Sequence, residues 1–537
     1  MAQGPGPGPG PGGPPPVPAL PAVPAPPENP ITEGKRVLGK ILFWEEQLSS
    51  YNTVACGTCH MPEHGGVDPR TAIHPGLDGF IGTPDDKFAS RGIIRSDPAN
   101  NYSPDAVFGL FEQVTTRRAP DFTGGLFHGS QFWDGRAVGQ FINPETGAVS
   151  IPVGGSLESQ AVGPILSDAE MSKVGRTWAE VTGKLQNSIP LRLASNIPAD
   201  MSAAILAAPS YPALFQAAFG TAAITAERIA FAIATYERTL VPDQTAWDDF
   251  NAGNTAALTA NQAQGLNLFA TTARCGVCHV PPVFSDGTFR NIGLRPIIED
   301  NGRQGVTGNF GDRGRFKVPS LRNVALRSRF FHNGQHVNLT NAVGEYNNSG
   351  GPFPDNRDPV LTGLLISPAQ RDQIADFLSA LTDPRAAAGT FPFDRPTLRS
   401  EIEPAGSNLY GAPTPGTGGF APAIIANAPA GLGSIGFKLG VARGLGGSFA
   451  ILGFSTVPPT PGLELFGVDL HVDPETALIY QMPLSGFGPG GGFATVQQPL
   501  PANPALGGFV VYTQFFVFDP AAPFGLSASR GAEVTLF

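Results

Sequence analysis

Two short runs constrain this chain more than anything else in it: Cys56-Gly57-Thr58-Cys59-His60 and Cys275-Gly276-Val277-Cys278-His279. A C-x-x-C-H run is the covalent attachment signature of c-type haem. Its two thiols add to the porphyrin vinyl groups, and the adjacent His is delivered to the iron. A zinc ribbon would use two C-x-x-C pairs and a redox dithiol one, but neither needs His directly after both second cysteines. The chain has four cysteines, and these runs use all of them. The reading is two covalently bound c-type haems, with His60 and His279 on the irons.

That reading bounds the rest. With every Cys taken by haem, structural disulfides are excluded. A net charge of −10 argues against a nucleic-acid partner, and no apolar run reaches the length of a membrane span. Attachment to C-x-x-C-H takes place outside the cytoplasm, so a periplasmic or extracellular location is expected. Yet Met1-Ala2-Gln3 leads into Gly-Pro repeats with no apolar h-region, so either a signal peptide is missing from this sequence or the start is misplaced.

A chain of 537 residues accommodates about three domains. Residues 1–30 are Gly/Pro low complexity and read as a disordered tether. Residues 31–245 read as a first haem domain. Its opening helix starts near Thr32 and carries Val37, Leu38, Ile41 and Leu42 on one stripe. Polar loops follow to about Ala161. Helices are then expected near Trp178–Leu185, Ala203–Ala208 and Ala226–Leu240, the last with Ile229, Ile233, Tyr236 and Leu240 on a core face. Residues 246–395 read as a second haem domain: Gly39-x-x-Leu42-Phe43 before the first run is echoed by Gly265-x-x-Leu268-Phe269 before the second. Residues 396–537 are rich in Gly, Pro, Phe and Val. Phe466, Val468, Leu470 and Val472 alternate with polar neighbours as in a half-buried strand, with His471 on its solvated face, and Phe509–Phe518 reads as another strand. The fold class is mainly α, with two cytochrome c-like haem domains followed by an all-β, sandwich-like domain.

The second axial position decides what each iron does: an open site binds peroxide, and a strong fixed ligand makes an electron carrier. Methionine is the usual ligand of an electron-transfer c haem, yet none lies between Cys275 and Gln481. The residues leave His332, His336 and Tyr346 as candidates at the second iron. A tyrosinate there would stabilise higher oxidation states, because a hard anionic oxygen favours the more charged iron.

Across about residues 32–382 the sequence resembles the bacterial dihaem cytochrome c peroxidases and their relative MauG. The resemblance rests on Leu38-Gly39-Lys40-Ile41-Leu42-Phe43, on Phe132-Trp133-Asp134-Gly135-Arg136-Ala137, and on Leu157–Ile165 with Glu170-Met171. It rests also on Phe316–Ala325 followed by Phe331-His332-Asn333-Gly334. It implies that His60 serves the peroxidatic haem and His279 the electron-transfer haem. Gln160 and Glu170 match the polar pair beside the peroxide site, with Pro164 between them. A carboxylate in a poorly solvated pocket suits the transfer of a proton between peroxide oxygens, and Glu170 is assigned that task. Trp133 matches the tryptophan between the haems, and His332 a residue beside the second haem's propionates. Tyr346 falls where the peroxidases place Met and MauG its axial tyrosine.

Several places depart from the family. Gly139 to Gly155 form extra chain, a loop to cover the pocket or dock a partner. His64 and His74 lie in the segment that supplies a displaceable ligand to the first iron in peroxidases and none in MauG; His74 has the closer spacing. The family also holds a calcium ion between its domains, partly by backbone carbonyls, so the resemblance implies one calcium ion as a further cofactor, although the matching stretch here, Arg327 to Arg329, carries two cations. The β-domain is foreign to the basic enzyme. The resemblance implies a hydrogen peroxide reductase fed through the second haem by a c-type cytochrome or a cupredoxin. The alternatives are a MauG-like oxidase of a protein or other large substrate, storing oxidising equivalents across both haems, and a dihaem electron carrier without catalysis.

Overall fold

The Gly-x-x-Leu-Phe echo marks a shared packing device. In the computed structural model, which describes residues 17–404 and 406–537, helix Glu33–Phe43 begins at Thr32, whose hydroxyl accepts from the Lys35 N–H. Val37, Leu38, Ile41 and Leu42 are all buried, and the helix lies against helix Ala226–Glu237. Gly39 permits the approach: a Cβ there would stand 1.9 Å from the Ala232 carbonyl oxygen. The second half repeats this with helix Ala260–Ala270 on helix Pro368–Ser379, where a Cβ at Gly265 would stand 2.0 Å from the Gln373 carbonyl. Each half has its own core. The first gathers Ile229, Ile233, Tyr236 and Leu240 with the opening helix. The second is built on Trp247, Phe269, Phe284 and Phe377, with Trp247 edge-on to Phe284 at 4.8 Å.

The expected helices form as Trp178–Asn187, Ala199–Ala207 and Ala226–Glu237. The stretch read as polar loops instead holds small antiparallel pairs: Ala72–His74 with Lys87–Ala89, Arg91–Ile94 with Glu112–Val114, Ser130–Gln131 with Ala137–Val138, and Phe141–Ile142 with Val149–Ile151. The last pair is the extra chain Gly139–Gly155. None of its residues lines the two cavities beside the C-x-x-C-H runs; Phe141 and Ile151 are buried, and Glu145 accepts from the Ala226 N–H at 2.8 Å, capping that helix.

Residues 1–16 of the expected tether lie outside the described residues. Residues 17–30, read as disordered, are instead a strap across both halves. The Val17 N–H donates to the Asn251 side chain at 3.0 Å, the Pro24 carbonyl accepts from Arg238, and Asn29 is fully buried against Glu158 and Lys35. Composition conceals this because the partners are polar side chains far along the sequence.

The C-terminal part forms two facing antiparallel sheets. The five-stranded one runs Asn408–Tyr410, Leu526–Thr535, Val510–Phe518, Phe449–Ser455, Leu478–Pro483; the three-stranded one runs Ala423–Ile425, Lys438–Gly446, Gly488–Gln497. Phe509–Phe518 is a strand as expected, from Val510. The other expected strand is only two-residue pairs, Glu464–Leu465 with Val468–Asp469. Val468, Leu470 and Val472 are buried, but Phe466 is exposed, its φ of 52° turning the chain. His471 is buried rather than solvated, with Nε2 3.0 Å from the Ala412 carbonyl.

The sandwich shares a core with the first half: Phe437, Leu439, Val441, Phe515 and Val517 are continuous with Phe43 and Leu191, as are Phe393 and Leu398 from around the expected boundary. Lys438 pins this seam. Its ammonium donates to Ser96 Oγ (2.7 Å) and the Asn100 carbonyl (2.9 Å), between the rings of Tyr51 and Tyr102 at 3.9 and 4.0 Å.

Candidate active site

Each C-x-x-C-H run sits on a short turn beneath its helix pair. Cys56–Cys59 form one helical turn, closed by the Thr58 hydroxyl accepting from the Ala55 N–H. Gly57 is required here, since a Cβ would stand 2.1 Å from the Trp44 indole. The chain then reverses through Gly65 and Gly66, both at positive φ, and brings the Gly66 carbonyl 3.2 Å from His60 Nδ1. His279 Nδ1 likewise faces the Phe284 and Pro319 carbonyls at 3.1 and 3.2 Å. A ring nitrogen facing a carbonyl must carry the proton, so Nε2 of both histidines keeps its lone pair for a metal. All four thiols are free, and burial pushes Cys56 and Cys275 up to about 12.

Beside His60 lies a cavity of about 450 Å³, lined also by Gln160, Glu170, His74 and Pro164. The second, of about 200 Å³, is lined by His279, Cys275, Cys278, His332 and Tyr346. Apart from Trp133, His64 and His336, whose Nε2 instead meets the Glu345 carboxylate at 3.2 Å outside the second cavity, the expected residues fall into two groups, one per run. Trp133 borders both cavities. Its indole N–H donates to the Arg118 carbonyl at 2.8 Å, and the Arg118 N–H donates to the His332 carbonyl at 2.7 Å. Before it, Phe132 holds a φ of 65°, strained for an aromatic residue, with the Arg136 guanidinium 3.6 Å over its ring. His332 stacks on Phe316 at 3.6 Å, and burial pushes its imidazole down to about 3, so it is neutral.

Burial raises the Glu170 carboxyl, offset by the Ser167 hydroxyl and the Arg136 guanidinium. Its loop is held from behind: Gln113 Nε2 donates to the Asp168 carbonyl at 2.7 Å, and Gly92 lets strand Arg91–Ile94 press on the Ala169–Glu170 backbone. The Tyr346 phenol is raised by burial first and then by the neighbouring Cys275 and Cys278. His74 differs from His60: its Nδ1 accepts from the Gly76 N–H at 3.2 Å, which leaves the proton on Nε2. His64 does not line that cavity.

Sequence reasoning missed two residues. Glu237 borders the first cavity with Oε2 unpartnered. Burial pushes it up to about 8, with Arg238 opposing and Glu158 adding to the rise. The available signal was a lone acid between Ile233 and Leu240 on a core face. Arg118 borders both cavities and is buried, with Nε and Nη1 unpartnered. A buried guanidinium needs an anion, and a haem propionate is one. Free thiols, histidines with available Nε2, two cavities and a buried guanidinium with two unpartnered nitrogens fit haem in both places. At Arg327–Arg329, the stretch matched to calcium, the Arg327 guanidinium takes the Asp121 carboxylate and the Gly65, Ser320 and Arg322 carbonyls, so those four groups already face a cation.

A family model described as di-haem cytochrome c peroxidase matches residues 33–256. The methylamine utilization protein MauG of Methylorubrum extorquens is 30% identical over 375 residues, 68% of this chain and 83% of that protein. The chain belongs to the di-haem cytochrome c peroxidase/MauG family. Cytochrome c peroxidase Ccp of Escherichia coli is 30% identical over 331 residues, 60% of this chain, and the match spans 55% of that protein. A solved MauG-like protein associated with microbial copper homeostasis shares the fold, with a TM-score of 0.50 and 23% identity over 70% of this chain and 97% of its own. The matched stretch of the family model holds the first C-x-x-C-H run, and the second lies beyond it.

Proposed function

We propose that this family member is a dihaem c-type peroxidase that reduces hydrogen peroxide in the cavity beside His60, with electrons relayed across Trp133 from the cavity beside His279. Cys56, Cys59 and His60 hold one haem, and Cys275, Cys278 and His279 the other. Bound there, the haems supply one-electron redox chemistry. The observation that carries the reading is Glu170 and Gln160 in the same cavity as His60, because a pure electron carrier has no use for a proton-handling pair. Reduction of peroxide to two waters consumes two electrons and two protons. The Glu170 carboxylate takes the proton from one peroxide oxygen and returns it to the other, so that the departing oxygen leaves as water rather than hydroxide. The Gln160 amide orients the peroxide. A small electron-donor protein, a c-type cytochrome or a cupredoxin, is the proposed partner, in the periplasm or outside the cell. Among the described residues, no helix is long and apolar enough to cross a membrane.

Tyr346 favours a second reading. It shares the cavity of His279, and since burial raises its phenol, only a bound cation makes it an anion. As a ligand it would hold the second iron in higher oxidation states and suit MauG-like, remote oxidation of a protein or other large substrate.

Mixing with peroxide, with and without reduced cytochrome c, separates the readings. Rapid donor oxidation supports the peroxidase; a long-lived oxidised state indifferent to donor supports the MauG-like enzyme. Glu170→Gln is expected to slow the peroxide reaction by about 10²–10⁴-fold, and an unaltered rate removes Glu170 from the mechanism. Because the base must be ionised and burial raises its pKa, the acid limb of kcat/KM for peroxide should lie above the usual glutamate range and vanish in the variant.

A further inference from the structure

We infer that Arg327 is a positioning residue that joins the supports of the two proximal histidines across the seam between the helical halves, a built-in cation among buried oxygens of both halves. The inference rests on His60 and His279 being the iron ligands.

The connection can be followed atom by atom. His60 Nδ1 is held by the Gly66 carbonyl, and the adjoining Gly65 carbonyl accepts from Arg327 Nε at 3.3 Å. His279 Nδ1 is held by the Pro319 carbonyl, and the adjoining Ser320 carbonyl accepts from Arg327 Nη2 at 3.3 Å, as does the Arg322 carbonyl. The same Nη2 meets Asp121 Oδ2 at 2.9 Å, in a pair whose side chains are 8% and 2% exposed. Asp121 precedes Phe122, whose ring lies edge-on to His60 at 5.5 Å. One guanidinium thus touches the backbone next to the Gly66 carbonyl behind His60 and next to the Pro319 carbonyl behind His279, whose other partner, the Phe284 carbonyl at 3.1 Å, is not among its contacts.

The seam has little slack. A Cβ at Gly65 would stand 2.6 Å from the Asn323 carbonyl and 2.8 Å from Arg327 Cγ, and one at Gly124 would stand 2.4 Å from Ser320 Cβ. Partners behind a metal-binding histidine fix its tautomer and ring direction and set its basicity. A rigid fork bonded to both supports therefore couples the two imidazoles in a way that two separate carbonyls cannot. Arg329 and Arg118 lie close enough that, with Arg327, they add positive charge around Asp68 and Asp121. A divalent cation at these same oxygens would have to displace the fork and face that charge.

The test uses the full chain with both haems in place, counted by pyridine haemochrome. The diferric EPR spectrum reports each haem separately. Wild-type protein without two His-ligated haems would refute the ligand reading itself, independently of Arg327. Given two such haems, Arg327→Gln is expected to shift the g-values of both, with Arg327→Lys, which keeps the charge but not the fork, falling between. Unchanged signals, or a change confined to one haem, overturn the inference. If Arg327→Gln fails to retain two haems, Arg327→Lys is read alone by the same criteria. Chelation is expected to leave the wild-type EPR spectrum and thermal midpoint unchanged; a lowered midpoint, restored by calcium, overturns the built-in cation.

Discussion

His60 and His279 turn Nδ1 onto backbone carbonyls, whereas His74 turns Nδ1 onto the Gly76 N–H. All three border one of the two cavities, yet the placement of one proton separates the two proposed ligands from His74. His74 would have to exchange its tautomer and give up its bond to Gly76 before Nε2 could bind a metal. Burial beside Lys87 also keeps it neutral. His74→Ala is therefore expected to leave the spin state of the first haem unchanged in the absorption spectrum, and conversion from low to high spin would show that His74 ligates after all. Spacing alone ranked His74 above His64 but carried no information about its tautomer, because the deciding donor is a backbone N–H whose direction depends on how the turn folds.

At the scale of elements, close approach is bought with glycine. Gly39 and Gly265 let each helix pair meet, and their repetition in the sequence was the trace of that contact. Gly92 left no such trace, since the backbone it touches, at Ala169, belongs to a loop 77 positions later, counting from 92 to 169. A Cβ at Gly92 would stand 1.7 Å from the Ala169 carbonyl oxygen, so Gly92→Ala must push the Glu170 loop away from its strand. Displacement of a reacting group by about 1 Å costs up to about 10²-fold in rate. Gly92→Ala is expected to slow the peroxide reaction by about that factor while both haems remain attached, measured by stopped-flow absorbance against haem content. An unchanged rate would mean that Glu170 is held by Gln113 alone.

At the scale of the molecule, the β-sandwich is a wall of the first half rather than an attachment to it. Lys438→Ala would open a space between Tyr51 and Tyr102 and leave Ser96 and Asn100 without their donor, a loss on the order of 2–5 kcal/mol. With a shared core, the haem absorbance and the far-ultraviolet β signal should melt together, both at lower temperature in the variant. Two separate transitions would establish the sandwich as an independent unit. A similar continuity explains the strap of residues 17–30: its composition signals disorder, but Arg238, just past helix Ala226–Glu237, and Asn251 receive it.

What the sequence determined by itself is what short stretches of chain encode: thiol–thiol–imidazole spacing for haem, stripes and caps for helices, and ordered motifs that place Glu170, Gln160, Trp133 and Tyr346 in one family. Those signals are local, so linear order is enough to read them. Only the tertiary structure decided which imidazole nitrogen is free, which acid is buried without a partner, and which cation bridges the seam. Buried charge is set by groups such as Arg327 and Asp121 that are far apart in sequence and meet only when the chain closes on itself. Proton position, though set by neighbours as near as Gly66 to His60 or Gly76 to His74, depends on how each turn folds.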